Sequence, residues 1–275
     1  MVSVDVRFSG SVPANYERYM VPLFFRPYAE VLAKHAAHFA PQDILETAAG
    51  TGVVTDALAG ALPDARIIAS DLNQAMLDVA ATRVSSPNVT FRQADALELP
   101  FDDDSFDLVA CQFGAMFYPD KIKGHSEAHR VLRAGGHYLL AVWDRIDRNV
   151  LSNLANQSLQ KLFPDNPPLF MVRGPFSYHD PDWIERDLHA AGFDSVEIET
   201  VVLHSRSPSG EDGARGLVYG SPMSVELEDY GPGALHRVFE EMSRTVREYE
   251  GANGFDAPMS AHIVTATKLG PPRDC

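Results

Sequence analysis

Short apolar runs alternate with amphipathic stretches through the first half of the chain. The apolar runs predict strands at residues 44–46, 66–70, 88–94, 105–112 and 136–143, the last of them behind a turn at 133–136. Apolar residues at helical spacing predict helices over residues 27–39 and 74–84. This alternation of strand and helix predicts a parallel, doubly wound α/β sheet.

The second half of the chain predicts insertions followed by two further strands. Residues 145–180 form a long connection with apolar residues at helical spacing, and a helix around Trp183 is stopped by Gly192. Strands over 195–204 and 261–268 complete the sheet as an antiparallel pair. A helix within 207–260 carries an apolar stripe that is core or a dimer surface: Leu235, Val238, Phe239, Met242, Val246 and Tyr249.

These patterns predict an α/β sheet of seven mostly parallel strands, with helices on both faces, an antiparallel last strand and helical cap insertions. Residues 1–40 are assigned to a helical lid segment and 41–145 to the core. Residues 146–275 form the remainder of the same domain, with insertions at about 146–180 and 207–260. The Gly/Pro-rich tail after Lys268 is expected to fray.

Three predicted strands are followed by, or end in, a carboxylate: Glu46, Asp71 and Asp95. Glu46 opens a loop of small residues that lets the backbone turn sharply and approach a ligand. Asp71 follows this loop at about the separation at which an acidic residue binds a ribose in nucleotide-binding βαβ units. A plain strand-to-helix turn is the alternative. A nicotinamide site is disfavoured because its glycine pattern would end at Thr55.

An ordered set of motifs within about residues 40–145 resembles the class I S-adenosylmethionine-dependent methyltransferases, in the small-molecule branch similar to the ubiquinone and menaquinone methyltransferases. Alanine at position 48 replaces the usual first glycine. The matching segments are Glu46 with Ala48, Gly50 and Gly52; residues 71–73 with Met76; and residues 95–101, 106–109 and 130–136.

The resemblance implies a Rossmann-like fold with S-adenosylmethionine as donor and S-adenosylhomocysteine as product. Asp71 is expected to bind the ribose, Leu72 and Met76 to cover the adenine, and Asp95 to accept from its exocyclic amine, with the Ala96 amide facing a ring nitrogen. The methionyl end of the cofactor is expected to contact backbone groups of the loop from Glu46 to Gly52, called the glycine loop below, and of Cys111 and Gln112 at the end of the fourth strand. The full cofactor-binding set is Glu46, Ala48, Ala49, Gly50, Gly52, Asp71, Leu72, Met76, Asp95, Ala96, Leu97, Cys111, Gln112 and Tyr19.

Catalytic residues are not defined by the sequence. Methyl transfer is an in-line displacement at an activated carbon, so a base is needed only where the acceptor must lose a proton. His179 is the candidate for that base, whereas His125 and His129 are expected on a solvated helix face. Tyr16 and Tyr19 belong to an aromatic segment ahead of the sheet, where Tyr19 faces either the cofactor and acceptor or the sheet. No metal site is expected, because the run 102–104 of aspartates is typical of a solvated turn.

The amino-acid composition limits the classes of partner that the chain is expected to bind. Lys and Arg total 23 against 38 Asp and Glu, and the net charge of −15 disfavours nucleic acid. Cys111 and Cys275 are the only cysteines, which suits a reducing cytoplasm, and no segment has the length and apolarity of a membrane span. The expected function is methyl transfer to a small apolar or aromatic metabolite. The insertion 207–260 is the candidate interface of a homodimer. The alternative functions are a non-catalytic or regulatory cofactor-binding module and a nicotinamide-dependent oxidoreductase.

Overall fold

The computed structural model describes residues 15–270, and these divide into two compact units. The sheet unit comprises residues 28–142, 178–201 and 262–270, and the helical unit comprises 15–27, 143–177 and 202–261. Residues 1–14 of the predicted lid segment and residues 271–275 of the predicted tail, with Cys275, lie outside the described residues.

Among the described residues one sheet contains eight strands, which are β1 Asp43–Glu46, β2 Arg66–Asp71, β3 Val89–Gln93, β4 Phe106–Gln112, β5 Leu132–Trp143, β6 Ser195–Ser207, β7 Glu250–Gly251 and β8 Gly254–Thr267. Seven of them follow the order β3-β2-β1-β4-β5-β8-β6, mostly parallel with antiparallel end strands, which confirms the predicted fold class. A two-residue strand, β7, pairs antiparallel with β8. β6 and β8 are long, and each contributes residues to both units.

The described helices begin and end close to the predicted positions where a prediction was made. Asn73 and Asp180 cap their helices with a side-chain oxygen that accepts a backbone N–H, and Pro181 fills the first turn of the second helix. The helices are α1 Arg26–His38, α2 Val53–Ala61, α3 Gln74–Arg83, α4 Lys121–Val131, α5 Val150–Leu162, α6 Phe170–Arg173, α7 Pro181–Ala190, α8 Gly210–Gly220, α9 Met223–Glu226 and α10 Ala234–Thr245.

The register of the central strands brings the predicted carboxyl ends together. Glu46 lies opposite Ala69 on β2 and Ala110 on β4, and Asp71 lies opposite Gln93 on β3. Apolar residues of β1, β2, β4 and β5 are buried, as expected for parallel strands covered on both faces. The sheet therefore presents the ends of four strands, with their polar residues, at one edge.

The predicted turn before the fifth strand is wrong. β5 already begins at Leu132, and its pairing with β4 is irregular between Phe106 and Leu108. Gly135 has a φ of 84° there, and its N–H donates to the Lys268 carbonyl at 2.7 Å. This long-range pairing extends the strand through a segment whose Gly-Gly composition favours a turn locally.

The helical unit contains a π-helical segment, Tyr16–Phe25, together with α5, α6, α8, α9 and α10. Gly216 and Gly220 on α8 permit a close approach to that segment, because a Cβ on Gly216 would lie 2.8 Å from the Tyr19 Cβ. The apolar stripe of α10 and the turn after it is buried at Val238, Phe239, Met242 and Val246. These four residues are therefore core of the helical unit, Leu235 and Tyr249 are half-buried, and the homodimer stays a prediction.

No helix among residues 15–270 combines the length and the apolar character that crossing a membrane requires. The same residues contain no group of three His, Cys, Asp or Glu side chains arranged to hold a metal ion. Asp102, Asp103 and Asp104 are exposed as predicted, and Asp103 and Asp104 pair with Arg130 and Lys268.

Candidate functional site

The loop between β1 and α2 is built from small residues that its backbone requires. Ala48, Gly50 and Gly52 have φ values of 54°, 56° and 81°, in the left-handed region. At Gly52 a Cβ would also lie 3.0 Å from the Cβ of Ala80 on α3. Gly52 leads directly into α2, whose first N–H groups favour an anion.

Asp71 joins two loops through its carboxylate. One oxygen accepts from the Gly50 N–H at 2.9 Å, and the other accepts from the Asn73 N–H at 2.8 Å. Burial raises the pKa of Asp71 above its usual value, although the two amides act in the opposite direction. Each oxygen keeps a second lone pair, so the fixed carboxylate is able to accept two ligand hydroxyls.

Glu46 is a buried carboxyl group beneath the same loop. The Thr55 hydroxyl donates to it at 2.6 Å, and no Lys, Arg or His within residues 15–270 forms an ion pair with it. Burial, with a smaller contribution from the nearby Asp71, raises the pKa of Glu46 to about 8, although the hydrogen bond from Thr55 acts in the opposite direction. The free protein therefore holds this group mainly protonated at neutral pH.

The end of β3 lies beside the end of β2. The Ala94 N–H donates to the Asp71 carbonyl at 3.0 Å, so Asp95 follows directly after the shared edge. Asp95 is exposed and accepts from the Leu97 N–H at 2.9 Å, while Ala96 and Leu97 are half-buried.

The two residues expected to cover an adenine ring differ in exposure. The side chain of Met76 on α3 is buried, whereas Leu72 is 51% exposed. An exposed leucine at a strand end leaves apolar surface for a flat ligand.

The end of β4 packs closely against the glycine loop. Thr47 donates its N–H to the Ala110 carbonyl at 2.9 Å, and Cys111 and Gln112 are buried. A Cβ on Gly114 would clash with the Ala48 Cβ and lie 3.0 Å from the Cys111 Sγ. The chain therefore needs a glycine here for the β4 end and the loop to approach each other.

Most of the predicted cofactor residues share this edge of the sheet unit. Contacts between neighbouring strand ends bring together the sets around Glu46, Asp71, Asp95 and Cys111. Tyr19 belongs to the helical unit, where its side chain also lies 5.0 Å below the Arg18 guanidinium. His179 precedes α7, and its carbonyl oxygen lies 3.1 Å from the His262 Nε2. The functions of Tyr19 and His179 stay predictions.

The expectation of a solvated His125 is wrong. Its side chain is completely buried, and its Nε2 lies 3.3 Å from the Tyr178 hydroxyl, which donates to Asp187 at 3.2 Å. Burial lowers the pKa of His125 to about 4. His129 is only half-buried. Helix position alone does not predict the difference, because the partner of His125 comes from a distant segment.

Sequence reasoning missed three residues that shape the site. The Thr55 hydroxyl donates to Glu46, and Gly114 leaves room for the glycine loop to pack against the end of β4. The buried Tyr118 hydroxyl lies 3.3 Å from the Thr47 Oγ1 and 3.5 Å from the Cys111 Sγ. The contact of Thr55 with Glu46 is detectable from the sequence, because Thr55 lies in the first turn of the helix that follows Glu46. The other two depend on tertiary contacts.

The residues present fit S-adenosylmethionine. The Asp71 carboxylate suits a ribose diol, and Glu46 is a buried carboxyl without a cationic partner among the described residues. Thr51 adds a buried hydroxyl for which residues 15–270 provide no hydrogen-bond partner. A nucleoside carrying an amino acid with a positive charge would meet each of these groups.

Comparison with known proteins agrees with this chemistry. A family model described as a methyltransferase domain matches residues 44–136. A demethylmenaquinone methyltransferase of Clavibacter sepedonicus is 34% identical over 171 residues, which are 58% of this chain and 69% of that protein. A ubiquinone/menaquinone biosynthesis C-methyltransferase of Marinomonas sp. is 34% identical over 44% of this chain and 50% of its own length.

Solved structures share the fold. The phosphoethanolamine N-methyltransferase 2 of Haemonchus contortus, solved with phosphomonomethylethanolamine and S-adenosylhomocysteine, has a TM-score of 0.62 at 17% identity. That comparison covers 98% of this chain and 61% of the other.

The chain belongs to the class I S-adenosylmethionine-dependent methyltransferases, and S-adenosylmethionine is its methyl donor. Within that class it is related to the menaquinone methyltransferases.

Proposed function

We propose that this methyltransferase methylates a small apolar or aromatic metabolite by in-line displacement, with the donor held at the edge formed by β1, β2, β3 and β4. The single observation that carries the donor site is the Asp71 carboxylate, which accepts from the Gly50 and Asn73 amides and keeps lone pairs for a ribose. Its position is fixed before a ligand arrives, so little ordering is required on binding.

The other cofactor residues take complementary positions in this proposal. Leu72 and Met76 cover the adenine, Asp95 accepts from its exocyclic amine, and the Ala96 amide and Leu97 complete that end. The loop residues Ala48 to Gly52 and the β4 residues Cys111 and Gln112 receive the methionyl end. Glu46 supplies negative charge near the donor's cationic groups.

The donor supplies a methyl group already activated by a positively charged sulfur. The chain then has to fix the donor, hold the acceptor in line and exclude water. A general base is required only for an acceptor that loses a proton, and His179 is the candidate for that function.

An apolar or aromatic acceptor is favoured by an aromatic cluster in the helical unit. Tyr16 stacks on Phe25 with ring centroids 5.1 Å apart, and Trp143 lies within 6.4 Å of Phe24, Phe25 and Phe176. Tyr16 and Phe25 are half-buried, and aromatic side chains of this kind pack well against a flat apolar ring. The related demethylmenaquinone methyltransferases make a quinone-type ring a suitable first acceptor.

Two alternatives make different predictions. A non-catalytic or regulatory cofactor-binding module would bind the donor without turnover. A nicotinamide-dependent oxidoreductase would bind NAD, which is disfavoured because Thr55 ends the glycine pattern and its hydroxyl is committed to Glu46.

Replacing Asp71 by Asn is expected to weaken the binding of both S-adenosylmethionine and S-adenosylhomocysteine at least about tenfold, because one charged acceptor of the ribose is lost. Isothermal titration calorimetry with both ligands and with NAD measures this effect. Asp64→Asn is the matched control, since Asp64 is an exposed aspartate between α2 and β2. Equal affinities in the two variants would contradict the donor site, and NAD binding alone would contradict the proposed activity.

Acceptor binding is expected to quench the fluorescence of Trp143. Trp143 and Trp183 are the only tryptophans, and Trp183 is 48% exposed. Trp183→Phe therefore leaves Trp143, within the aromatic cluster, as the single source of tryptophan fluorescence. A naphthoquinol should quench this variant saturably and yield a methylated product by mass spectrometry, whereas phosphoethanolamine should do neither. Trp143→Phe controls for absorption by the quinol. Turnover of phosphoethanolamine alone would contradict an aromatic acceptor.

A further inference from the structure

The loop between β3 and β4 has little structure of its own. Within residues 94–105, an isolated bridge between Asp95 and Glu98 is the only pairing of strand type. The first part of the loop carries Asp95, Ala96 and Leu97, which the proposed function assigns to adenine. The second part contains Leu99, Phe101 and Asp103, and side chains of α4 form hydrogen bonds with it.

Arg130 on α4 makes the largest set of contacts with this second part. One terminal nitrogen of its guanidinium donates to the Phe101 carbonyl at 2.8 Å and to Asp103 at 2.7 Å. The other donates to the Leu99 carbonyl at 2.9 Å and to Glu127 at 2.8 Å, and the Nε also donates to Glu127 at 3.0 Å. The planar fork therefore fixes two loop carbonyls at once.

Glu127 completes the attachment from the same helix. Its buried carboxylate accepts from the Leu99 N–H at 2.8 Å, so both backbone groups of Leu99 are held by the Glu127–Arg130 pair. The hydrogen bond from Arg130 is the main cause that lowers the pKa of Glu127, and the pair is therefore charged at neutral pH. Charge-assisted bonds of this kind are stronger than neutral ones.

We infer that the Glu127–Arg130 pair is a positioning device for adenine recognition, because it fixes the loop that carries Asp95. The inference rests on the proposed donor site. Leu99 lies four residues after Asp95, and the Glu98 N–H returns to the Asp95 carbonyl at 3.0 Å, which joins the attached part of the loop to the recognition part. A loop released at Leu99 and Phe101 must be ordered again when the cofactor binds, which weakens binding at the adenine end.

The test compares S-adenosylhomocysteine with S-inosylhomocysteine, which carries oxygen in place of the exocyclic amine. The wild-type protein is expected to prefer the adenosyl ligand about tenfold, corresponding to one discriminating hydrogen bond. Arg130→Lys keeps the positive charge but removes the planar guanidinium that bonds two loop carbonyls. This variant should reduce the preference for the adenosyl ligand to about threefold or less. Asp95→Asn should reduce it similarly, and the double variant should be no worse than the single ones.

Arg133→Lys is the matched control. Arg133 pairs with Asp43 at 2.8 Å and with Asp107 at 2.7 Å, which lie at the starts of β1 and β4 rather than at the cofactor edge. The control should lose stability comparably in thermal melts while keeping the full ligand preference. A merely structural Arg130 would behave in the same way.

The outcomes separate the inference from the proposed function. Failure of the wild-type protein to bind S-adenosylhomocysteine would overturn the donor site itself. Wild-type binding with a preference that Asp95→Asn abolishes and Arg130→Lys leaves intact would overturn only the inference. Additive losses in the double variant would also overturn it, because independent effects do not indicate that Arg130 acts through Asp95.

Discussion

The affinity for S-adenosylmethionine is expected to rise about tenfold per pH unit between pH 5 and pH 7, because Glu46 must ionise for the donor to bind. The free protein holds this carboxyl with a pKa of about 8, buried beside Asp71 and bonded to the Thr55 hydroxyl. A bound cation favours the ionised form and lowers its pKa. Binding therefore releases a proton, and the gain in affinity continues until the pH reaches the free-state pKa.

Calorimetry in pairs of buffers with different ionisation enthalpies measures both the affinity and the released proton. About one proton per donor is expected at pH 6 from the wild-type protein. Glu46→Gln keeps the side-chain shape but does not titrate, so its affinity should be nearly constant across this range. A constant wild-type affinity without proton release would show that Glu46 stays protonated in the complex.

The carboxylates at the strand ends are predictable because each follows an apolar run and opens a turn. Glu46 and Asp71 were both found in this way, and the alternation of strand and helix correctly implied parallel neighbours. The hydrogen bond from Gly50 to Asp71 was not predictable, since it requires the register of β1 against β2. Local pattern therefore identifies the chemical groups, and tertiary register fixes how they are joined.

The errors have a common physical origin in long-range contacts. The Gly-Gly segment before β5 reads locally as a turn, but the Lys268 carbonyl accepts from Gly135 and the strand extends through it. His125 lies on a helix of mixed polarity, and the Tyr178 hydroxyl that it contacts is 53 residues away. Neither partner is visible in the local sequence, so local propensity gave the wrong prediction.

The electrostatic state of the site is also beyond the sequence. A glutamate at the end of an apolar strand is equally consistent with an ionised surface residue and with a protonated buried one. Burial of Glu46, without a cation in the described chain to pair with it, selects the protonated state. The pH dependence of donor binding therefore follows from the packing of the glycine loop above the strand.

The buried His125 is expected to contribute about 2 kcal/mol less to the stability of the folded protein at pH 5 than at pH 7. His125 has a folded-state pKa of about 4, lowered first by burial and further by Lys121, while Asp187 opposes the shift. The unfolded chain binds the proton near the ordinary pKa of histidine, so it is favoured as the pH falls below about 6.5. The rings of Tyr118, Tyr138 and Tyr178 surround the imidazole and offer it no further charge.

Chemical denaturation of the free protein at pH 5, 6 and 7 measures this loss. His125→Phe removes the titration and the contact with Tyr178, and from pH 7 to pH 5 the wild-type unfolding free energy should fall by about 2 kcal/mol relative to that of this variant. His236→Phe is the matched control, because His236 is exposed on α10 and should keep the wild-type slope. Carboxyl groups whose pKa is lowered, such as Glu127, take up protons below this window, whereas Glu46, with a folded-state pKa of about 8, stabilises the folded protein as the pH falls through it. The difference in slope between the wild-type protein and His125→Phe therefore reports His125. An unchanged slope in His125→Phe would contradict the contribution of His125 and would leave His129 and His137, whose pKa values burial also lowers, as the histidines that affect stability.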